Sequence, residues 1–336
     1  MAHFGLLRRR KSLQADEDAG RRFPAEVHVG YDELIGLRQT ANQLQLDSRR
    51  PARSSIAGSH GSRFRGRGMD YLESRGYQPG DDIRSMDWRI TARSGKAHVK
   101  VYQEERERPV ITMIDLGPGM FFATRGAFKS VVAARAAALI GWAAVRNGDR
   151  IGALLFNGGH REIRPTGGQR GVLRLIRELV PASDPHTGTR TEAHSNHLDE
   201  ALGRLRRVAR PGSLVFIFSD FYAMGSETHR HLQQLRKHND VFACQIVDAL
   251  EMEPPPPGEY AVTDGEQVSI LDSRSGIHRQ AYKDFFANHH QAVRSLMNRC
   301  AVPLLQLSTS DDVVERLRTG LQNRSLTQPV APEAVA

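Results

Sequence analysis

From residue 109 onward, short apolar runs alternate with stretches of helical period. The runs are VITMID (Val110–Asp115), RIGALLFN (Arg150–Asn157), SLVFIFSD (Ser213–Asp220) and DVFACQIVD (Asp240–Asp248), and three of them end in a carboxylate. Continuous apolar runs of this length predict strands buried on both faces. Between and after them the spacing predicts helices over Ala127–Val145, 169–180, 197–209, 227–238 and 279–299. HREIRPT (His160–Thr166) is placed to pair with the second run as a hairpin arm. A short strand at Gln267–Asp272, a last strand PLLQLST (Pro303–Thr309) and a last helix Asp311–Thr319 complete the pattern. The run Pro254–Pro257 can only be a loop, because proline donates no backbone hydrogen bond. The alternation predicts an α/β fold with a doubly wound, mostly parallel sheet. Ligands of such sheets sit at the carboxyl ends of the strands, where Asp115 and Asp220 fall.

The first part of the chain reads differently. Residues 1–24 lack hydrophobic period and are expected to be disordered. Tyr31–Leu46 predicts a helix with Asp32 and Glu33 at its dipole-favoured start, and Arg49–Gly68 reads as a loop rich in Arg, Ser and Gly. The expected division is a basic arm over 1–60, a strand-bearing segment over 61–108, the main domain over 109–320 and a tail over 321–336.

Charge sharpens this division. The chain of 336 residues carries a formal net charge of +9, with arginine outnumbering lysine 41 to 6. Residues 1–68 hold 13 basic against 7 acidic residues, so most of the excess lies in the arm. Such an arm suits nucleic acid or an anionic membrane, or simply solvent. The start MAHFGLLRRR lacks the apolar core of a secretory signal. The most apolar stretch, Val131–Val145, has 15 residues and contains Arg135, short of the ~20 needed for a span. No transmembrane segment and a cytoplasmic location are expected. Cys244 and Cys300 form no CxxC pair, which argues for two free thiols rather than a zinc ribbon or a disulfide framework.

The segment Gly76–Arg93 reads GYQPGDDIRSMDWRITAR. By itself it suggests a Pro-Gly turn and an amphipathic strand, with Asp81, Asp82 and Asp87 paired to Arg84, Arg89 and Arg93, and with Tyr77 and Trp88 as core anchors. Its order Tyr77, Pro79-Gly80-Asp81-Asp82, Arg84, Asp87-Trp88, Arg93 resembles the signature of the bacterial family called domain of unknown function 58. The resemblance continues through Gly95-Lys96, the strand Ala97–Glu107, Met113–Asp115 and Ser219-Asp220-Phe221, covering roughly residues 61–250. It implies a von Willebrand factor A-like (Rossmann-like) fold and association with MoxR-type AAA+ ATPases in assembling or activating other proteins. Many members carry membrane helices before the signature, so this chain resembles the shorter branch.

The resemblance also raises a metal question. A von Willebrand A metal site takes an Asp-x-Ser-x-Ser loop, a threonine and a further aspartate, because Mg²⁺ wants converging hard oxygen ligands. Here the loop is Asp115-Leu116-Gly117-Pro118-Gly119, with glycine at both serine positions, and the threonine position falls on Asn196, with Thr191 and Ser195 nearby. Only Asp115 and Asp220 match. The expectation is a degenerate metal site, no cofactor, and a docking surface that keeps the shape of the site. Metal-dependent adhesion with Mg²⁺ stays open as another reading, as does a capping role for the two aspartates.

Other chemistry is weakly signalled. His194, His197 and Glu200 do not form H-E-x-x-H, and among 14 histidines the pairs His229/His231 and His289/His290 arise by chance. There is no Gly-x-Ser-x-Gly elbow, and Ser94-Gly95-Lys96 lacks a preceding glycine-rich cradle. The expectation is a non-enzymatic interaction module without a small-molecule substrate. Its surface would comprise Asp115, Gly117, Gly119, Asn196 and Asp220, flanked by Tyr77, Pro79, Gly80, Asp81, Asp82, Arg84, Asp87, Trp88 and Arg93.

Overall fold

The computed structural model describes residues 25–46, 69–104, 107–157, 159–188, 197–263 and 268–322. The expectations for residues 1–24, for the 49–68 loop, for Thr191, His194, Ser195 and Asn196, and for the tail beyond residue 322 lie outside them. The chain divides into two compact units, one of Met1–Leu46 with Arg108–Ala336 and one of Asp47–Glu107.

The larger unit begins with α1 (Tyr31–Thr40). The smaller unit is β1 (Met69–Gly76), α2 (Trp88–Ser94) and β2 (His98–Glu104), with β1 and β2 antiparallel. The larger unit resumes with β3 (Pro109–Asp115), α3 (Lys129–Arg146), β4 (Arg150–Asn157), β5 (Gly159–Gly167) and α4 (Gly168–Ala182). It continues through α5 (Pro185–Gly188), α6 (His197–Val208), β6 (Leu214–Ser219), α7 (Thr228–His238), β7 (Asp240–Val247) and α8 (Ala249–Met252). A hairpin β8 (Glu259–Thr263) and β9 (Val268–Asp272) precedes α9 (Gly276–Arg299), β10 (Leu304–Ser308) and α10 (Val313–Gln322).

Six of these strands form one sheet in the order β10-β7-β6-β3-β4-β5, parallel throughout except for the edge strand β5. Counted along this sheet alone the order is 3-2-1-4-5-6, a doubly wound arrangement. The α/β, doubly wound and mostly parallel fold expected from the alternating runs is therefore the fold found, and it is of the von Willebrand A-like class that the family resemblance implies. Helices α1, α3, α4 and α10 bury one face, and α6, α7 and α9 bury the other. No helix among the described residues is long and apolar enough to cross a membrane, and Cys244 and Cys300 are buried free thiols.

Two expectations are corrected. Within the expected arm of residues 1–60, residues 25–46 are not separate from the main domain but are built into the larger unit. Val29, Leu34, Ala41, Leu44 and Leu46 lie in its core, made accessible by the alanine face of α3. Trp142 Nε1 donates to Leu34 O (3.0 Å), Arg135 Nε pairs with Glu33 Oε1 (2.5 Å) and Arg146 donates to Ala41 O (3.2 Å). The second correction is β8, which pairs antiparallel with β9 and carried too few alternating residues to be read as a strand.

Leu34 is fully buried, so Leu34→Ala should cost the larger unit about 2–5 kcal/mol in urea unfolding. A change near zero would restore the picture of a free arm.

Candidate functional site

The sheet directs attention to its carboxyl rim. The chain leaves β3 toward β4 on one side and comes back at β6 on the other, so strand order reverses between β3 and β6. Crevices form at such switch points. Asp115 ends β3 and Asp220 follows β6, and the structure brings the two together there. Both are only 5% exposed. Ser219 Oγ donates to Asp115 Oδ2 (2.6 Å) and accepts from Phe221 N (2.8 Å), while Gly117 N donates to Asp115 Oδ1 (2.9 Å). Asp220 Oδ1 accepts from Tyr222 N (3.1 Å). Phe221, buried, takes φ +63°, a left-handed conformation that a bulky side chain adopts only under constraint.

Between these carboxylates and a third stands Lys129, the first residue of α3, at 1% exposure. Its Nζ lies 2.5 Å from Glu251 Oε1 and 3.6 Å from Asp220 Oδ2. A cation in the first turn of a helix opposes the helix dipole, and a buried one is tolerated only when paired. Glu251 is held for this task by a capping box on α8, in which its Oε2 accepts from Asp248 N (2.8 Å). Asp248 in turn accepts from Thr124 N (2.9 Å), Thr124 Oγ1 (2.6 Å), Thr309 Oγ1 (2.7 Å) and Leu250 N (3.0 Å). That one carboxylate ties the ends of β7 and β10 to the loop after β3. Burial pulls the Lys129 ammonium toward neutrality, but Glu251 and Asp220 outweigh it and leave its pKa above the ordinary value. Asp115 goes the other way. Burial, then the Asp220 charge, push its carboxyl up to about 7, against the hydrogen bonds from Ser219 and Gly117.

The accessible layer beside this cluster is aromatic. The Tyr222 ring stacks on His289 (centroids 3.8 Å, 11°) and on Phe285 (6.5 Å, 8°), with Phe286 edge-on. His289 Nε2 reaches Asp220 O (2.9 Å), and Lys129 Nζ sits 5.7 Å from the Tyr222 ring centroid. Tyr222 is 39% and Phe285 55% exposed.

Among the described residues the donor set does not fit an octahedral Mg²⁺ ion. Gly117 and Gly119 offer no side chains, and a Cβ there would lie 3.1 Å from Asp115 Oδ1 and 2.8 Å from Asp220 Oδ2. The Ser219 hydroxyl is engaged on both sides, and an ammonium already stands among the carboxylates. Among the described residues no group of three or more His, Cys, Asp or Glu is arranged to hold a metal ion.

In the smaller unit the signature residues resolve into local folding devices. Gln78-Pro79-Gly80-Asp81 is a turn closed by Asp81 N→Gln78 O (3.0 Å), with Gly80 at φ +105° as its third residue requires. Asp81 accepts from Gln78 N (2.9 Å) and pairs with Arg75 (2.7 Å), and these bonds lower its pKa. Asp82 accepts from Arg84 N (2.9 Å). Asp87 caps α2 through Arg89 N (3.2 Å) and Ile90 N (3.3 Å), and takes Ser74 Oγ (2.8 Å). The partners expected for these aspartates, the side chains of Arg84, Arg89 and Arg93, are replaced by Arg75 and by backbone N–H groups. Residues 88–94 form a helix rather than a strand, because Asp87 supplies its cap. Trp88 is 68% exposed and Tyr77 is also exposed, so neither is the core anchor expected.

Sequence reasoning found Asp115, Asp220, Gly117 and Gly119, named Ser219 only within the family pattern, set His289 aside as a chance pair, and missed Lys129, Asp248, Glu251, Tyr222 and Phe285. One signal was available for Lys129, one of six lysines, opening an otherwise apolar helix. Asp248-Ala-Leu-Glu251 also carries the spacing of a capping box.

Against known proteins, the family model described as "Protein of unknown function DUF58" matches residues 73–292. Uncharacterized protein Mb1516 of Mycobacterium bovis and Uncharacterized protein Rv1480 of Mycobacterium tuberculosis are each 30% identical over 304 residues, covering 86% of this chain and 92% of the relative. Among solved structures, the conserved hypothetical protein BatB from Bacteroides thetaiotaomicron overlaps 64% of this chain and 98% of its own (10% identity, TM-score 0.40). A von Willebrand factor type A protein from Catenulispora acidiphila overlaps 66% and 43% (12% identity, TM-score 0.32). At these scores the strand order, not the overlap, carries the fold.

The Asp115 shift has a sign. Folded, its carboxyl keeps a proton up to about 7, whereas unfolded it loses it near 3.8. The folded state binds more protons between those values, so this group lowers stability as pH rises through that window and adds no further change above it. Asp115→Asn should remove that component, seen as a flatter dependence of unfolding free energy on pH. A variant with the wild-type slope would take Asp115 out of the charge balance.

Proposed function

The chain belongs to the DUF58 family, and on that premise we propose that it is a non-enzymatic interaction module whose protein partner docks at the carboxyl rim of the sheet. One observation carries the reading. The exposed Tyr222–Phe285 pair, with His289 stacked beneath Tyr222, stands beside a charge cluster that is buried and internally paired. Aromatic side chains on a rigid base supply contact area at small entropic cost, which is what interface hot spots require.

The buried chemistry supports binding over catalysis. Asp115 and Asp220 face a serine hydroxyl, backbone N–H groups and a lysine, and they are withheld from solvent. A general base needs to reach a substrate proton. The contact surface of the proposal therefore shifts from the two aspartates to the aromatic groups beside them, while the aspartates shape the loops that hold those groups. The smaller unit, taken by itself, also exposes apolar side chains, Tyr77, Ile83 and Trp88. The partner we infer from the family resemblance is a MoxR-type AAA+ ATPase, with the pair acting in the cytoplasm in assembly or activation of further proteins.

The test is affinity for the MoxR-type ATPase of the same genome. Tyr222→Ala and Phe285→Ala should each weaken binding by about tenfold or more, as hot-spot truncations do, with the melting temperature little changed. Unchanged affinity in the double variant would remove the rim from the interface. Binding that instead collapses with salt, and with deletion of residues 1–24, would assign the contact to the basic segment.

A further inference from the structure

We infer that the Lys129 ammonium is the resident cation of this rim, standing where a von Willebrand A domain of the serine-bearing type places a divalent ion, and that lysine and metal exclude one another.

Position is the first support. Nζ of Lys129 lies within 3.6 Å of the Oδ2 of Asp220, one of the two aspartates retained from the metal-site pattern. It has a second carboxylate, Glu251, at 2.5 Å, and 1% exposure. A cation so placed supplies the positive charge that buried carboxylates otherwise draw from an ion.

The loop is the second support. The two positions that would bear serine ligands are glycines packed against the carboxylates themselves. A Cβ at 117 would meet Asp115 Oδ1 at 3.1 Å, and one at 119 would meet Asp220 Oδ2 at 2.8 Å. A serine at 119 would require the Asp220 carboxylate to move from its place beside Lys129. The missing hydroxyls and the added ammonium are thus two sides of one rearrangement. The third support is Ser219, whose hydroxyl donates to Asp115 (2.6 Å) and accepts from Phe221 N (2.8 Å), so it is already committed. A divalent ion entering here would meet a like charge within a few ångströms, and the Ser219 hydroxyl would not be free to bind it.

The inference stands apart from the proposed partner, since its readout needs none. The full chain is titrated with Mg²⁺ and with Mn²⁺ by calorimetry, and melted with each ion and with EDTA. For the wild type, no saturable heat and an unmoved melting temperature are expected. Lys129→Ser leaves Asp115, Asp220 and Glu251 facing one another without a cation. It should melt lower in EDTA and recover with Mn²⁺ in a saturable manner, and Asp220→Asn added to it should abolish the recovery. Saturable metal binding by the wild type overturns the inference. So does a Lys129→Ser protein that folds and ignores metal. If Lys129→Ser does not fold, a charge-balance arm decides. Lys129→Met combined with Asp220→Asn and Glu251→Gln removes both signs together and should melt well above Lys129→Met alone. A triple variant as unstable as the single one overturns the idea that the ammonium serves these carboxylates.

Discussion

An ammonium group withdrawn from water at the mouth of a parallel sheet has to be neutralised, and much of the rim's architecture answers that requirement. The desolvation penalty for a buried ion is several kcal/mol after relaxation, and losing one partner of a buried pair costs about 3–5 kcal/mol. Lys129 therefore fixes where α3 begins relative to α8 and to the loop after β6, because Glu251 and Asp220 must both reach it. The capping box of Asp248 and Glu251 is the secondary consequence. It orients Glu251 from a four-residue helix too short to hold its own position. Asp248 anchors that helix with two threonines from the loops after β3 and β10.

Burial first, and the neighbouring Asp220 charge second, explain the otherwise odd behaviour of Asp115. Lys129 pairs with Glu251 and Asp220, and Asp115 keeps its proton to higher pH. Phe221 tells the same story in the backbone. Its left-handed φ turns the chain so that Ser219 bridges to Asp115 while Tyr222 N caps Asp220. That strain, of order 1–3 kcal/mol, is borne by the bonds on either side of it. The alanine face of α3 contributes from behind, letting α1 and α4 pack close enough to hold the helix whose first residue carries the charge.

Much of the fold was legible because the physics was local. The buried runs at 110–115, 150–157, 213–220 and 240–248 became β3, β4, β6 and β7 within a residue or two, since a strand buried on both faces leaves little choice of residue. What was not legible depended on distant partners. Helix α1 was foreseen but not its burial, because its core positions are set by α3, about 100 residues away, through contacts such as Trp142 to Leu34. The helix over 88–94 was missed because three polar residues around Asp87 looked like ion-pairing surface, whereas Asp87 is its cap. At the rim, Asp115 and Asp220 were found through a motif. Their counter-ion was not, because Lys129 and Glu251 are 122 positions apart and no spacing rule connects them.

Reading a sequence assigns function to charged residues and packing to aromatic ones, and here both units reverse that assignment. In the smaller unit Asp81, Asp82 and Asp87 close a turn and cap two short helical segments, while Trp88 and Ile83 remain on the surface. In the larger unit Asp115, Asp220, Asp248 and Glu251 are buried, and Tyr222 and Phe285 are the groups left outside. The physical reason is the same in each. A short carboxylate next to a strand end or helix start finds backbone N–H donors whose own desolvation would otherwise be uncompensated, so the fold consumes it. Tyr222 and Phe285 stack on one another yet keep apolar area uncovered by the fold, and that area is what a surface docking there would bury.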